Sequence, residues 1–319
     1  MTTPVTAGST GADLAHPATA PTATPRRRPT PATPYLLLAP AVAVLLLGMG
    51  YPVYWQIITS LQEYGLAQQF GQPPTFVGLD NYARIFGSAD LWAVVLRSVA
   101  FCLVNAFVTV GIGLAFALLM RAVHPAIKVA LQVCLLLAWA MPMVAAVTVF
   151  RWLFDYRTGV VNWLLVQVGF TGYEGYSWFS QPLTFFFVAT LIIVWMSVPF
   201  VALSVFAGLT QVPDEILEAA RIDGADERQI FFKVVIPQIK GTLITVFITV
   251  TITTMKIFDI VYVNTNGNFN TNVLGNQFYN EISTYVNYGA ASAIVVILMI
   301  AVIPIMWYQV KHFRAEEAA

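Results

Sequence analysis

The chain has 319 residues, of which 58% are hydrophobic and 10% are charged, and its formal net charge is zero. Soluble domains usually carry about 25% charged residues, so this composition argues against an ordinary water-soluble globule. Because the charges balance, no basic field is available to attract nucleic acid, and we expect no nucleic acid as a partner.

The N-terminal segment, residues 1–34, is rich in Pro, Ala and Thr and poor in large apolar residues. Such a segment gains too little from burial to offset the entropy of ordering, which predicts a disordered tail in the cytosol. The apolar run from Tyr35 to Leu61 follows this tail. It is far longer than the roughly 7–15 apolar residues of a signal peptide, so we interpret it as a retained first membrane span.

Six windows of the chain are long and apolar enough to cross a membrane. A helix needs about 20 apolar residues to cross about 30 Å of hydrocarbon. The windows cover residues 36–60, 93–120, 127–150, 184–209, 242–265 and 288–309. The sequence therefore predicts an all-α polytopic membrane protein, with six transmembrane helices within residues 35–314 and a short tail over residues 315–319.

Basic residues indicate the orientation, since cytosolic loops carry an excess of Lys and Arg. With the N-terminus in the cytosol, the inner segments hold eleven of the sixteen basic residues. These eleven are Arg26, Arg27, Arg28, Arg121, Lys128, Arg221, Arg228, Lys233, Lys240, Lys311 and Arg314. We therefore predict a protein of the cell membrane, surrounded by lipid, with both termini in the cytosol.

The segment over residues 213–237, between the predicted fourth and fifth spans, is unusually charged. Its acidic residues are Asp214, Glu215, Glu218, Asp223, Asp226 and Glu227. Pro213 suits a first helical turn, Gly224 can end that helix, and Asp226 can cap the next one. Each predicted helix has one apolar and one charged face, so we expect a cytosolic helix-turn-helix that serves as a docking surface.

Common catalytic and metal-binding motifs are missing from the sequence: it contains no phosphate loop, H-E-x-x-H, C-x-x-C or G-x-S-x-G. Cys102 and Cys134 lie in apolar runs, where a free thiol usually acts as a small hydrophobic residue. His16, His124 and His312 lie outside the predicted spans. We expect no catalytic residue, no metal and no cofactor in this chain.

The charged segment also carries a recognisable motif. Its residues are Glu218, Ala219, Ala220, Asp223, Gly224, Ala225, Phe231, Ile236 and Pro237. They resemble the E-A-A-x-x-D-G-A…F…L-P loop of the membrane permease subunits of binding-protein-dependent ABC importers. The stretches FVGLDNYARIF (76–86) and KIFDIVYVNTNG (256–267) are similar to the carbohydrate-uptake branch of that family. Asn268 and Phe269 depart from the glycine and proline that often follow.

The resemblance implies that the helix over residues 218–225 sits in a cleft of a separate ATPase. Ala219 and Ala220 allow close approach, Gly224 allows the turn, and Glu218 offers a charge to a basic group. The implied partners are a second permease subunit, two copies of a cytosolic ABC ATPase and an extracytoplasmic sugar-binding protein. Without the motif, the segment could equally be a pair of solvated surface helices.

Sugars are recognised by polar groups and aromatic faces, and three predicted spans offer both. The resemblance to maltose-type permeases places substrate contacts at Trp139, Met143, Trp195, Ser197, Phe200 and Thr254. For each of them, packing between helices is the alternative. Lys256 and Asp259 are ionisable residues inside an apolar run, and they either support the site or pair with each other.

Three functions compete on this sequence. The first is a permease subunit that, with a second permease, passes a neutral di- or oligosaccharide such as an α-glucoside by alternating access. The second is the same kind of importer for glycerol phosphate or a polyol. A phosphate would call for cationic groups around the site, and Lys256 is the only basic residue near the candidate site residues. The third is a membrane enzyme or anchor, which neither the motifs nor the charged segment favours.

Overall fold

The computed structural model of the chain describes residues 33–317. The tail predicted over residues 1–34 therefore lies, apart from its last two positions, outside the described residues. The chain divides into two compact units, Met1–Tyr51 and Pro52–Ala319. In the first unit, the described residues are helical, with a π-helical turn at Leu46–Gly50.

Helices make up nearly all of the regular structure in the described part of the chain. Their bounds are α1 Tyr35–Ser60, α2 Leu66–Gln69, α3 Asp80–Gly87, α4 Ala89–Ala122, α5 Pro125–Trp139, α6 Met143–Leu153, α7 Val160–Gln167, α8 Pro182–Leu209, α9 Asp214–Ile222, α10 Glu227–Gln238, α11 Lys240–Met255, α12 Asp259–Thr265, α13 Leu274–Ser283 and α14 Tyr288–Glu317. Strands β1 (Gln62–Glu63) and β2 (Thr75–Phe76) form an antiparallel hairpin around α2.

Four described helices are long and apolar enough to cross a membrane: α1, α4, α8 and α14. Two bent pairs, α5 with α6 and α10 with α11, raise the number to six if each pair counts as one span. The prediction of an all-α polytopic membrane protein is confirmed.

The predicted third span over residues 127–150 consists of two helices that meet at 96°. Helix α5 ends at Trp139, and α6 begins at Met143. Pro142 stands at the break with an extended ψ of 138°. Proline has no N–H to donate and disfavours the helical conformation of the residue before it, which favours a helix break at this position.

The predicted fifth span over residues 242–265 is not a single helix. Helix α11 ends at Met255, and α12 begins at Asp259. The backbone of Gly275 approaches this break so closely that a β-carbon on Gly275 would lie 2.7 Å from the Ile257 carbonyl oxygen. The break after α11 therefore lies against the start of α13.

Helix α8 lies at the centre of the second unit, where it packs against α4, α5, α6 and α11. Most of its buried apolar residues belong to two hydrophobic clusters, and Ala202 belongs to a third. One cluster joins α8 to α6 and α12 through Val188, Ile192 and Val147. The other joins α8 to α11 and to the charged segment through Val205 and Leu209. The charged segment is therefore built onto the central helix.

Candidate functional site

The first helix of the charged segment, α9, begins directly after Pro213, which is extended with φ −63° and ψ 136°. Asp214 and Glu215 occupy its first turn, where negative charge is favoured by the helix dipole. Arg121, at the end of α4, forms an ion pair of 3.4 Å with Asp214. The start of α9 is thereby joined to the end of a membrane helix.

The turn between α9 and α10 is made by Gly224, whose φ is +81°. The N–H of Ala225 donates to the Ala220 carbonyl at 3.0 Å, which closes the end of α9. A residue with a β-carbon rarely adopts this left-handed conformation. No other atom would lie within 4 Å of a β-carbon on Gly224, so the requirement for glycine is conformational rather than steric.

Asp226 caps α10, as its position in the sequence predicts. Its carboxylate accepts the Gln229 N–H at 2.6 Å. The Gln229 side chain in turn accepts the Asp226 N–H at 3.4 Å. This reciprocal arrangement is a capping box, and it satisfies two N–H groups that a helix start otherwise leaves without partners.

Two apolar side chains anchor the segment. Leu217 of α9 and Ile230 of α10 are 5% and 3% exposed and belong to the cluster that contains Val205 and Val246. Ala220 and Ala225 pack against the same cluster and are half-buried. A displacement of the segment would therefore be transmitted to α8 and α11 through packed side chains.

The opposite face of the segment is exposed. Of the motif residues, Glu218, Ala219, Asp223, Gly224 and Pro237 are all exposed. Neither of the two ion pairs in the described residues includes Glu218, so its carboxylate is available to a partner.

Arg221 on α9 pairs with Glu227 on α10 at 3.0 Å. This hydrogen bond raises the pKa of Arg221 above its ordinary value. Because both side chains are exposed, we expect the pair to add little to stability and to serve chiefly in fixing the two helices relative to each other.

Sequence reasoning missed the most exposed of the large apolar residues in this segment. Ile222 ends α9 and is 86% exposed. It lies five residues after Leu217, about 140° away around the helix, and it does not belong to the hydrophobic cluster that contains Leu217. Single exposed apolar residues are common on protein surfaces, but Ile222 lies beside the turn on the exposed side of the segment, which makes it a candidate contact for a protein partner.

The candidate substrate residues lie on helices that share α8 as a neighbour. Trp139 and Met143 flank the break between α5 and α6; Trp139 is exposed, and Met143 is half-buried against a hydrophobic cluster. On α8, Trp195 and Phe200 are exposed, and Ser197 is half-buried. These helices bring the candidates to the same bundle.

Trp195 lines an apolar groove between α4, α5 and α8, together with Ile112, Leu135 and Ala138. Pro199 lies within α8, four residues after Trp195. It lacks the N–H that would bond to the Trp195 carbonyl, so this backbone acceptor loses its helical donor. The groove contains Trp195 but none of the other five candidates.

Thr254 is buried near the end of α11, and its hydroxyl has no hydrogen-bond partner among the described residues. Thr249 and Thr251 in the same helix donate to the carbonyls of Thr245 and Phe247. A buried hydroxyl without a partner is costly, so Thr254 remains a candidate for contact with a ligand.

Lys256 and Asp259 lie on either side of the break after α11. Lys256 is exposed, and Asp259 is half-buried in the first turn of α12. The ion pairs found in the described residues do not include these two side chains, so the suggested pairing of Lys256 with Asp259 is not seen.

A polar cleft of about 500 Å³ lies where α3, α4, α13 and α14 meet. It is at the start of α4, and therefore at the opposite end from Arg121 and the charged segment. Arg84, Arg97, Asp90 and Glu281 contribute charges to its lining. Sequence reasoning missed this cleft, because its parts come from segments that lie far apart in the chain.

Two hydrogen bonds lie at this cleft, and the first of them joins α4 to the segment before α13. Arg97 donates to the Asn272 carbonyl at 2.8 Å, and Gln277 donates to the Glu281 carboxylate at 3.0 Å. Burial raises the pKa of Glu281 above its ordinary value, although the bond from Gln277 and the charge of Arg84 act in the opposite direction.

Comparison with known proteins identifies the family. The sequence profile of the binding-protein-dependent transport system inner membrane components matches residues 108–314, which is more than half of the chain. This chain belongs to that family. The inner membrane component is thus a multi-pass membrane protein, and the charged segment with its motif lies within the matched region.

Its relatives place this inner membrane component in the carbohydrate-uptake branch. The diacetylchitobiose uptake system permease protein DasB of Streptomyces coelicolor is 36% identical and aligns with 89% of this chain and 87% of DasB. The alpha-glucoside transport system permease protein AglF of Rhizobium meliloti is 32% identical, over 89% of this chain and 83% of AglF. The resemblance drawn from the motif is confirmed: the chain is a permease of the ABC importer class, similar to the permeases of carbohydrate-uptake systems.

A solved structure has the same fold. A chain of a bacterial ABC transporter involved in the import of the acidic polysaccharide alginate superimposes with a TM-score of 0.74. It is 17% identical, and the match covers 89% of this permease and 95% of that chain. At this identity the likeness concerns the fold.

Proposed function

We propose that this permease carries a neutral di- or oligosaccharide, with an α-glucoside or a related disaccharide as the first candidate. The observation that carries this proposal is the extended similarity to DasB and AglF, whose names specify uptake of diacetylchitobiose and of α-glucosides. The candidate residues on α5, α6, α8 and α11 are aromatic, thioether or hydroxyl groups. Such groups suit an uncharged sugar better than a phosphate.

The permease works with a second permease subunit, two copies of a cytosolic ABC ATPase and an extracytoplasmic sugar-binding protein. The family description, which specifies a binding-protein-dependent system, supports the last of these partners. Both termini and the charged segment face the cytosol, as the distribution of Lys and Arg favours. ATP hydrolysis takes place in the ATPase, and this chain supplies the pathway.

The charged segment is the coupling element. Its exposed motif residues, Glu218, Ala219, Asp223 and Gly224, contact the ATPase, with Ala220, Ala225 and Pro237 shaping the segment. Its buried side chains, Leu217 and Ile230, carry the movement into α8 and α11. Rigid-body movement of these helices then alternates access to the substrate.

The substrate site lies beside α8. Trp139, Met143, Trp195, Ser197, Phe200 and Thr254 contact the sugar, and Lys256 with Asp259 shapes the break that follows α11. The exposed indoles and the buried hydroxyl of Thr254 that lacks a partner support this assignment. Aromatic faces would pack on the C–H surfaces of the sugar, while the polar groups would bond to its hydroxyls.

The test is transport by the complete system in proteoliposomes. The permease, its partner permease, the ATPase and the binding protein are reconstituted, and ATP-driven uptake is measured for maltose, trehalose, diacetylchitobiose, glycerol 3-phosphate and sorbitol. We expect uptake of at least one neutral disaccharide. Uptake confined to glycerol 3-phosphate or sorbitol would refute the sugar assignment while leaving the permease assignment intact.

A further inference from the structure

An apolar groove of about 850 Å³ runs between α4, α11 and α14. Its walls include Phe247 of α11 and Pro304 and Tyr308 of α14. Gly111 of α4 also lines it, and a β-carbon on this glycine would have no other atom within 4 Å. The missing side chain therefore leaves part of the groove open.

Helices α11 and α14 run in opposite directions across the membrane. Between them, α12 has 7 residues and α13 has 10. At about 1.5 Å per residue, neither is long enough to cross about 30 Å of hydrocarbon. The first residue of α11, Lys240, therefore lies at the same side of the membrane as Lys311 near the end of α14.

Both lysines stand on the faces that line the groove. Lys240 precedes the lining residue Ile244 by four positions, and Lys311 follows Tyr308 by three and Pro304 by seven. Residues at these spacings share one face of a helix. Both lysines are exposed, and neither belongs to an ion pair among the described residues. One end of an apolar groove is thus marked by two positive charges.

We propose that this groove is a binding site for an anionic glycerophospholipid. The acyl chains lie against Phe247 and Pro304 in the groove, and the phosphate of the headgroup lies between Lys240 and Lys311. Basic side chains above an apolar cleft between membrane helices match the two chemistries of such a lipid. An apolar protein helix would cover the walls but would leave both lysines without a counter-charge, so the lipid fits better.

The proposed lipid would bind next to the charged segment, at the start of α11. Lys240 is the first residue of α11, and α11 follows directly on the charged segment that ends at Pro237. The headgroup would tie this end of α11 to the end of α14. The proposal does not depend on which solute is carried, so its test needs no transport assay.

The experiment labels the full-length permease in membranes with photoactivatable lipids. Phosphatidylglycerol and phosphatidylcholine analogues, present in both leaflets, are cross-linked in parallel, and labelled peptides are identified by mass spectrometry. We expect the phosphatidylglycerol analogue to label the peptides around Gly111, Phe247 and Pro304 in roughly tenfold excess over phosphatidylcholine. The double substitution Lys240→Gln with Lys311→Gln should reduce this ratio to about one.

Two further variants separate the charges from the groove. Lys128→Gln removes a lysine that lies over the Phe206 ring, away from the groove lining, and it should keep the preference. Gly111→Leu fills the groove and should lower labelling by both lipids, whereas Gly50→Leu, at another glycine with open space, should not. Equal labelling by the two lipids, a preference that survives the double substitution, or a groove that neither lipid labels because a protein covers it would each overturn the proposal.

Discussion

Gly113 of α4 approaches Val201 of α8 so closely that a β-carbon on Gly113 would lie 2.4 Å from the Val201 Cγ1 atom. Real β-carbons are not found at such distances, so the two helices can meet here only because one of them lacks a side chain. Both residues lie within the buried contact between α4 and the central helix. Gly113 therefore sets the spacing of the bundle.

We predict that Gly113→Leu forces α4 and α8 apart. Overpacking of a close helix contact costs about 1–3 kcal/mol or more, because the backbone must shift to make room. The measurement is the thermal unfolding midpoint of the purified permease in detergent, with the yield of folded protein. Gly48→Leu is the control, since no atom lies within 4 Å of a β-carbon there. Equal midpoints for the two variants would contradict a packing role for Gly113.

We predict that Gly224→Pro abolishes uptake while the permease remains in the membrane. Proline fixes φ near −65°, which is incompatible with the φ of +81° at this turn. Glu218→Lys, which reverses an exposed charge on the docking face, should have the same effect. Both variants are measured by ATP-driven uptake and by immunoblotting of the membrane fraction.

The control for the turn is Gly224→Asn. Asparagine visits the left-handed conformation more readily than other residues with side chains, so it should retain most of the uptake. Undiminished uptake in Gly224→Pro or Glu218→Lys would count against docking through this segment.

Ile222 provides a test of docking that does not depend on backbone conformation. Because 86% of its surface is exposed, Ile222→Asp should leave the fold unchanged but weaken binding of the ATPase by at least tenfold. Binding is measured by co-purification and by titration of the purified ATPase. Phe70→Asp changes a similarly exposed apolar residue in the hairpin connection and should bind the ATPase normally. If both variants bind equally well, Ile222 is not part of the docking surface.

We predict that Trp195→Ala impairs uptake with little loss of assembled transporter. Trp195 is 49% exposed, so removing its indole loses few packing contacts within the protein. The substitution does remove an aromatic face that could pack on the sugar. The measurement is the dependence of uptake on substrate concentration, together with the amount of complex recovered by affinity purification. Trp163→Ala, at an exposed tryptophan on α7, should leave the kinetics unchanged. Identical kinetics in both variants would remove Trp195 from the site.

We predict that the stability of the folded permease depends on pH through the carboxyl group of Glu281. Burial raises its pKa in the folded protein, so the folded state holds its proton more tightly than the unfolded state. Stability should then be greatest below the unfolded pKa and should fall as the pH rises through the folded pKa. Glu281→Gln should flatten this part of the stability curve of the detergent-solubilised permease. A slope that the substitution leaves unchanged would assign the effect to another group.

Local sequence signals predicted the helix-turn-helix structure of the charged segment. Gly224 predicted the turn and Asp226 the cap, because both effects depend on residues within a few positions of each other. Pro142 is likewise a local signal for a helix break, although the window predicted over residues 127–150 ran through it. The exposure of Ile222 agrees with helical periodicity, since a position five residues after Leu217 lies about 140° away from it around the helix.

Other features depend on residues that are distant in the sequence. The break after Met255 coincides with the close approach of Gly275 to the Ile257 carbonyl, and no local pattern signals it. The polar cleft is assembled from Arg84, Arg97 and Glu281, which are separated by up to about two hundred residues. Only the three-dimensional arrangement shows that these side chains share one site.

The geometry at Gly224 has a consequence for the handedness of the residue at that position. Because φ is +81° and the space around the missing β-carbon is open, the turn disfavours most L-amino acids for their chirality rather than for their size. The mirror-image side chain projects from the backbone in the direction that this conformation allows. A D-alanine introduced at position 224 by chemical ligation should therefore be accepted where L-alanine is strained, and the coupling turn would be stereoselective for the form that the ribosome does not supply.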